Sequence, residues 1–227
     1  MNPEFDKFAN SYRAEQTKYL GPTGENSLYF AQLKAQKLQE WVQKHLPYIP
    51  NKILDFGCGD GAMTLEVKKL FPNTSLYGVD PSSESIDLAK KTVPTGFFYT
   101  SGGTTLSFFE SNMFDVIYCA GVFHHIPFNE HADYFKELYR LLRQGGLLVL
   151  FELNPLNLGT QFIFIGHPME TNAKMLTPWY AKKITQTMYR ETIFYCFFPK
   201  FLRFLRPIEK WLTKLPFGGL YATIAQK

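Results

Sequence analysis

The chain is poor in cysteine, in long apolar runs and in charge of one sign. Cys58, Cys119 and Cys196 are its only thiols in 227 residues. A sparse, odd set without regular spacing makes neither a disulfide framework nor a zinc site. No run approaches the roughly 18 apolar residues of a membrane span. Met1 to Leu20 is polar and carries no core of signal-peptide length, so a cytoplasmic location is expected. Net charge is +4, and the basic residues are dispersed except near the C-terminus. The concentrated basic face of a nucleic-acid binder is missing, and no nucleic-acid partner is expected. Internal repeats and low-complexity linkers are missing too.

What is present is a globular composition, 45% apolar and 19% charged, of a length that suits one α/β domain. Aromatic residues reach 17%, with 22 Phe and 13 Tyr. Ordinary cores need fewer, so some are expected to line a pocket or an exposed apolar surface.

Apolar residues Leu28, Ala31, Ala35, Leu38 and Val42 recur at helical spacing, which predicts a helix from Ser27 to His45 closed by Pro47 and Pro50. Short apolar runs then alternate with helical stretches. Strands are expected at Lys52–Phe56, Ser75–Asp80, Gly96–Thr100, Phe114–Cys119 and Leu147–Glu152. Helices are expected at Ala62–Phe71, from Pro81-Ser82 to Lys91, and at Asn129–Arg143, the last closed by Gly145-Gly146. Such alternation implies a parallel sheet with helices on both faces. The last third is less regular: a turn at Asn154-Pro155-Leu156-Asn157, a helix from Thr177-Pro178-Trp179 to about Met188, an aromatic strand at Glu191–Phe198, a basic amphipathic stretch from Lys200 to Leu215 broken by Pro207, and a strand at Leu220–Ala225.

The first strand runs into Asp55-Phe56-Gly57-Cys58-Gly59-Asp60-Gly61. Glycines permit backbone angles closed to other residues and let a ligand lie against the main chain, and parallel sheets bind ligands at the carboxyl ends of their strands. The spacing is G-x-G-x-G, one residue short of the dinucleotide fingerprint. Asp55 and Asp60 would repel a pyrophosphate, but they favour a ligand with an ammonium and a sulfonium. Asp80, at the end of the second strand, can accept hydrogen bonds from both ribose hydroxyls. Gly57-Cys58-Gly59 alone marks no more than a tight strand-to-helix turn; Asp55 and Asp80 at consecutive strand ends make it a ligand site.

Taken together, Ile53-Leu54-Asp55-Phe56-Gly57-Cys58-Gly59-Asp60-Gly61, Tyr77-Gly78-Val79-Asp80-Pro81-Ser82, Phe114-Asp115-Val116-Ile117-Tyr118-Cys119, Val122-Phe123-His124-His125-Ile126 and Leu141-Leu142-Arg143-Gln144-Gly145-Gly146-Leu147-Leu148 resemble, in family order, the motifs of class I S-adenosylmethionine-dependent methyltransferases. The resemblance covers roughly Ile53 to Glu152. It implies a Rossmann-like, seven-stranded, mostly parallel sheet whose last strand is antiparallel, with N-terminal helices and an aromatic, basic insertion before the last strand. It implies one domain over residues 1–227: a lid or helical segment over 1–50, a cofactor-binding core over 51–152 and a substrate-side part over 153–227. It also implies S-adenosylmethionine as cofactor, S-adenosylhomocysteine as product and a small-molecule acceptor. The cofactor residues would be Asp55, Gly57, Cys58, Gly59, Asp80, Pro81, Gly102, Gly103, Cys119 and Ala120. One departure stands out. Many family members carry an acidic residue after strand three that contacts the adenine amino group, and that position falls at Gly102 here. Adenine would have to be held by main-chain groups, hydroxyls and stacking.

His124 and His125, in the loop after the fourth strand, are the candidate catalytic bases, because histidine accepts a proton near neutral pH. His125 is favoured by resemblance to members that use this position; simple packing is the alternative for either. No metal is expected, since adjacent histidines point differently in regular structure and no i, i+4 His/Glu set is present.

Two regions could read the acceptor. Phe5, Phe8, Tyr12 and Tyr19 could fold over the cleft as a lid, or belong to a helix packed on the sheet. In 193–214, Phe201, Leu202, Phe204 and Leu205 form an apolar face and Lys200, Arg203, Arg206, Lys210 and Lys214 a cationic one. That element could lie on an anionic membrane, cap a lipophilic pocket, form a dimer face or pack on the core. Three functions stay open: a methyltransferase acting on a lipophilic or glycosylated acceptor, a non-catalytic cofactor-binding module, and a nicotinamide-dependent oxidoreductase, which the glycine spacing and Asp60 disfavour. The acceptor, its accepting atom and the oligomeric state are not legible.

Overall fold

The computed structural model describes Asp6 and residues 12–227, without the side chain of Tyr12. In chain order the elements are helix α1 (Tyr12–Tyr19), α2 (Ser27–His45), strand β1 (Lys52–Phe56), α3 (Ala62–Leu70), β2 (Ser75–Asp80), α4 (Ser83–Thr92), β3 (Phe97–Thr100), β4 (Phe114–Ala120), α5 (His131–Leu141), β5 (Leu142–Leu153), α6 (Leu158–Ile165), α7 (Pro178–Ile184), β6 (Tyr189–Tyr195) and β7 (Leu220–Gln226). Four 3-10 segments join them, at Gly21–Thr23, Phe123–His125, Pro168–Glu170 and Lys200–Trp211.

The strands form one seven-stranded sheet in the order β3-β2-β1-β4-β5-β7-β6. Neighbours from β3 through β5 pair in parallel, while β7 pairs antiparallel with both β5 and β6. This is the mostly parallel, Rossmann-like sheet with an antiparallel last strand that the motif order implied.

Period-two alternation sends the side chains of each central strand to opposite faces. On one face Ile53, Val116, Tyr118 and Val149 pack with Ala35, Leu38 and Val42 of α2 and Val67 of α3. On the other, Leu54, Ile117, Leu148 and Leu150 pack with Phe135, Leu138 and Leu141 of α5. Both faces are therefore covered, which is why β1 reads as an unbroken apolar run with one acid. Helix starts follow the expected chemistry: the Asn26, Ser82, Asn157 and Thr177 side chains accept main-chain N–H groups of Tyr29, Ser85, Thr160 and Tyr180.

Helix α7 stops at Ile184 and β6 runs from Tyr189 to Tyr195, short of the expected Met188 and Phe198, and two further elements depart more from the sequence reading. Helix α5 ends at Leu141 and β5 begins at Leu142, so Gly145-Gly146 lies inside the strand's span. Gly145 has φ +76° and its N–H donates to the Lys227 carbonyl at 2.8 Å, which makes the glycine pair an irregularity at the sheet margin. Helix α6 was not expected: its sequence, Leu-Gly-Thr-Gln-Phe-Ile-Phe-Ile, is apolar on most sides and shows no clear stripe. Among the described residues, no helix is long and apolar enough to cross a membrane.

Candidate active site

The carboxyl ends of β1, β2 and β4 converge on the glycine loop. Gly57, Gly59 and Gly61 all have positive φ (+78°, +51° and +78°). At Gly57 a Cβ would collide with Val122 Cγ2, whereas at Gly59 it would meet nothing within 4 Å. The loop is thus packed behind Gly57 and open in front of Gly59. The Gly57 and Cys58 N–H groups donate to the Val79 carbonyl, and the Gly59 N–H donates to Asp80 Oδ2 at 2.9 Å. Asp80 Oδ1 accepts the Ser82 N–H at 2.9 Å. Each Asp80 oxygen keeps a lone pair for a further donor. Burial raises the Asp80 pKa, partly offset by these two N–H groups.

A cavity of about 440 Å³ opens in front of the loop, lined by Gly57, Gly59, Asp80, Pro81, Gly102, Gly103, Ala120 and His125 among others. A Cβ at Gly102 or Gly103 would also meet nothing within 4 Å, so no side chain fills the adenine-side position. Ser101, Glu130 and Tyr134, which the motif reading did not pick out, line the same cavity.

A second cavity of about 230 Å³ adjoins the first and shares Gly57, Gly59, Asp60, Ala120, Gly121 and His125 with it. Asp55, Cys58 and His124 line this one. Asp55 is buried; its Oδ2 accepts the Thr64 hydroxyl at 2.6 Å and the Tyr118 hydroxyl at 2.7 Å. Burial, opposed by those two bonds, pushes its pKa up to about 7. Asp60 pairs with Arg13 of α1 and accepts the Ala62 N–H at the start of α3. Lys34 of α2 lines the cavity; burial lowers its pKa, against the pull of Glu152 and Asp55. Cys119 is a correction. It is fully buried in the core and lines neither cavity, while Ala120, one residue on and on the opposite side of the strand, lines both.

His124 and His125 sit on the Phe123–His125 turn, held by groups the sequence reading missed. Glu152, at the carboxyl end of β5, accepts the Phe123 N–H through Oε1 at 2.9 Å and lies 2.6 Å from His124 Nδ1 through Oε2. Glu170 lies on the far side, 3.3 Å from His124 Nε2 and 3.6 Å from His125 Nε2. Burial alone would lower the His124 pKa; Glu152 and then Glu170 outweigh it and push it up to about 10. Burial and the His124 charge push His125 down to about 4, against Glu170 and Glu152. The two adjacent imidazoles therefore have opposite electrostatics. These acids stand 28 and 46 residues from His124, and no local motif joins them to it.

Of the proposed lid, Phe5, Phe8 and the Tyr12 side chain lie outside the described residues. Tyr19 lines the second cavity. Asp6 accepts the Ser82 hydroxyl at 2.6 Å, beside Asp80.

Residues 53–146 match the methyltransferase domain family model. Over 116 residues the chain is 32% identical to a demethylmenaquinone methyltransferase of Thermotoga maritima, covering 51% of this chain and 49% of that protein. Over 152 residues it is 35% identical to an uncharacterized methyltransferase of Bacillus cytotoxicus, covering 66% of this chain and 65% of that one. The chain thus spans about half to two thirds of these relatives' length. The fold is similar to a solved SAM-dependent methyltransferase of Thermotoga maritima described as a possible histamine N-methyltransferase. That likeness has a TM-score of 0.66 at 16% identity and covers 99% of this chain and 98% of that one.

The cleft also fits the cofactor that this kinship implies. Gly59, Gly102 and Gly103 leave main chain bare for a ligand, Asp80 offers ribose acceptors, and Asp55 faces the neighbouring cavity with an acid suited to an ammonium. The matched domain over residues 53–146, the strand order and the cleft agree with the class I S-adenosylmethionine-dependent methyltransferases that the motifs resemble.

Proposed function

We propose that the protein transfers a methyl group from S-adenosylmethionine to a small, lipophilic acceptor, which reaches the site from an anionic membrane surface. The observation that carries this is the junction of the two cavities at Gly57, Gly59, Ala120 and His125. The first cavity suits the donor. The second, bounded outward by Leu28, Phe30, Ile163, Phe164, Phe197 and Leu220, suits an apolar acceptor. When bound, S-adenosylmethionine supplies a methyl group on a sulfonium, so the protein has mainly to align the acceptor and keep water out.

The chain's own residues divide that work. Asp80 and the glycine loop hold the ribose end. Asp55 and Asp60 favour the cationic end. His125, in the wall common to both cavities, meets the acceptor's nucleophilic atom. His124, clamped by Glu152, stands behind it, and the pair assists deprotonation of that atom. Residues 153–227 contribute the acceptor side, through α6 and the segment before β7. That one Thermotoga relative is named for demethylmenaquinone supports a small-molecule acceptor.

The surface supports the lipid part of the reading. Helix α6 turns Ile163 and Phe164 into the second cavity, while its Leu158, Phe162 and Ile165 are more than three quarters exposed. In the 3-10 segment Phe201, Phe204 and Trp211 are also exposed, beside exposed Lys200, Arg203 and Lys210. Exposed aromatics among cations suit an anionic bilayer interface. Of the segment's two faces, Phe201 and Phe204 of the apolar one are exposed, and Arg206 of the cationic one pairs with Glu25 at 2.6 Å.

A methyl-transfer assay with tritium-labelled S-adenosylmethionine tests this, run against the polar and lipid fractions of a cell extract. Label is expected in the lipid fraction. Label confined to the polar fraction overturns the lipophilic acceptor. No label in either, with S-adenosylhomocysteine still raising the melting temperature, marks a binding module without catalysis.

A further inference from the structure

Methyl transfer by alignment alone does not require the side-chain group gathered in the second cavity. Adjacent histidines were expected to diverge, but the tight Phe123–His125 turn sets their ring centroids 4.1 Å apart, tilted by 46°. Both Nε2 atoms approach one oxygen, Glu170 Oε2, at 3.3 and 3.6 Å. The loop carrying Glu170 is tied to that turn, because the Lys174 N–H donates to the His124 carbonyl at 2.8 Å.

The hydrogen bonding behind His124 fixes its tautomer. Glu152 Oε1 is occupied by the Phe123 N–H and Oε2 faces His124 Nδ1 at 2.6 Å, so Nδ1 carries a proton. Nε2 is then the nitrogen that faces Glu170. That nitrogen meets the Glu170 carboxylate either through the proton of a charged His124, as an ion pair at 3.3 Å, or through a metal ion that replaces the proton. Glu170 Oε2 is buried, with the two imidazoles as its ion-pair partners. The donors lie somewhat wider than bound ligands do, at 3.3 and 3.6 Å from Glu170 Oε2 to the two imidazoles. Ligand bonds of about 2.0–2.2 Å place neighbouring donor atoms about 3–3.5 Å apart, and all three donors here lie within 4.8 Å of one another.

We propose that His124 Nε2, His125 Nε2 and a Glu170 carboxylate oxygen bind one divalent transition-metal ion, with Glu152 holding His124 in the ligating tautomer. Two imidazoles and a carboxylate are a donor set that leaves coordination positions open, and a carboxylate behind a ligating histidine is the usual orienting partner. His125 lines both cavities, so an oxygen or nitrogen of the acceptor can enter an open position, where the ion lowers its pKa. This deepens the role given to the histidine pair. The acceptor's place at the ion rests on the methyltransferase reading; the binding of the ion does not.

The test uses the whole chain, stripped with a chelator and titrated with Co²⁺ by visible absorption and with Zn²⁺ by calorimetry. One ion per chain is expected, with d–d bands for Co²⁺. His125→Ala and Glu170→Ala should each weaken binding at least tenfold, and Glu152→Gln by about 10–100-fold. Stabilisation of each variant by S-adenosylhomocysteine reports that it is folded. Wild-type protein that binds no stoichiometric ion overturns the proposal, as does binding unchanged in both alanine variants; the cluster then holds only a proton. Failure of the methyltransferase reading has a different signature, namely no stabilisation of the wild type by S-adenosylhomocysteine.

Discussion

The Gly59 N–H donates to Asp80 Oδ2 at 2.9 Å, which locks the tip of the glycine loop to the end of the neighbouring strand. In the proposed site one carboxylate serves both the loop's shape and the ribose. Asp80→Ala removes both, and a hydrogen bond to a charged acceptor contributes about 1.5–3 kcal/mol. Calorimetric affinity for S-adenosylhomocysteine should fall by about tenfold to a hundredfold or more. Unchanged affinity would remove Asp80 from the site.

Gly57 and Gly59 should respond differently to alanine. Gly57→Ala combines positive φ with a collision against Val122, so it should cost about 1–3 kcal/mol and lower the melting temperature. Gly59→Ala meets no neighbour. Its fold cost should be smaller, about 1–2 kcal/mol of backbone strain, while its methyl group stands in the donor cavity and blocks the ligand. Thermal melts with and without S-adenosylhomocysteine separate the two effects, and equal loss of ligand response with equal destabilisation contradicts them.

Asp55 gives the stability a pH signature. Its folded pKa of about 7 lies above the ordinary aspartate value of 3.8. A raised value means that its contribution to stability is complete below the unfolded pKa and is lost as pH rises through the folded one. Asp55→Asn keeps an oxygen for Thr64 and Tyr118 and does not titrate. The stability difference in favour of the variant should grow from pH 4 to pH 7, to the order of a few kcal/mol, and level off above. In the same window wild-type affinity for S-adenosylhomocysteine should rise, because ionised Asp55 is the form that attracts an ammonium. A pH-independent difference in melting temperature contradicts this account.

His125→Ala should lower kcat by about 10²–10⁴ and change S-adenosylhomocysteine affinity far less. Equal losses in both would make His125 a wall of the donor site only.

The exposed aromatics predict lipid binding. Phe204→Asp and Trp211→Asp each remove burial worth about 1.5–3 kcal/mol at an interface. Co-sedimentation with phosphatidylglycerol vesicles should drop by about tenfold or more for each, with the melting temperature little changed. Variants that sediment as the wild type does would return this face to ordinary surface.

The core was legible because its signals are local. Helix α2 is read from Leu28, Ala31, Ala35, Leu38 and Val42 alone, and β1 and β2 from short apolar runs that end in acids; all three have the bounds their patterns predict. The seven-stranded sheet with an antiparallel last strand came from resemblance to a family and not from the residues themselves, and the strand order came only from the structure. Helix α6 was invisible because it is apolar on the cavity side and on the solvent side alike, so it has no stripe; Asn157 three residues before Thr160 was its one signal. Cys119 was misplaced by a single strand position, which is enough to exchange the core for the cleft. Glu152 and Glu170 were missed because only folding brings them to His124.

The position of β7 has a consequence for biosynthesis. It is made after β6, yet it lies between β6 and β5 in the sheet. Until Leu220–Gln226 has left the ribosome, β6 has no strand beside it and β5 presents an open edge that another nascent chain could pair with. The parallel part of the sheet can form while synthesis continues, but the antiparallel part must wait for β7.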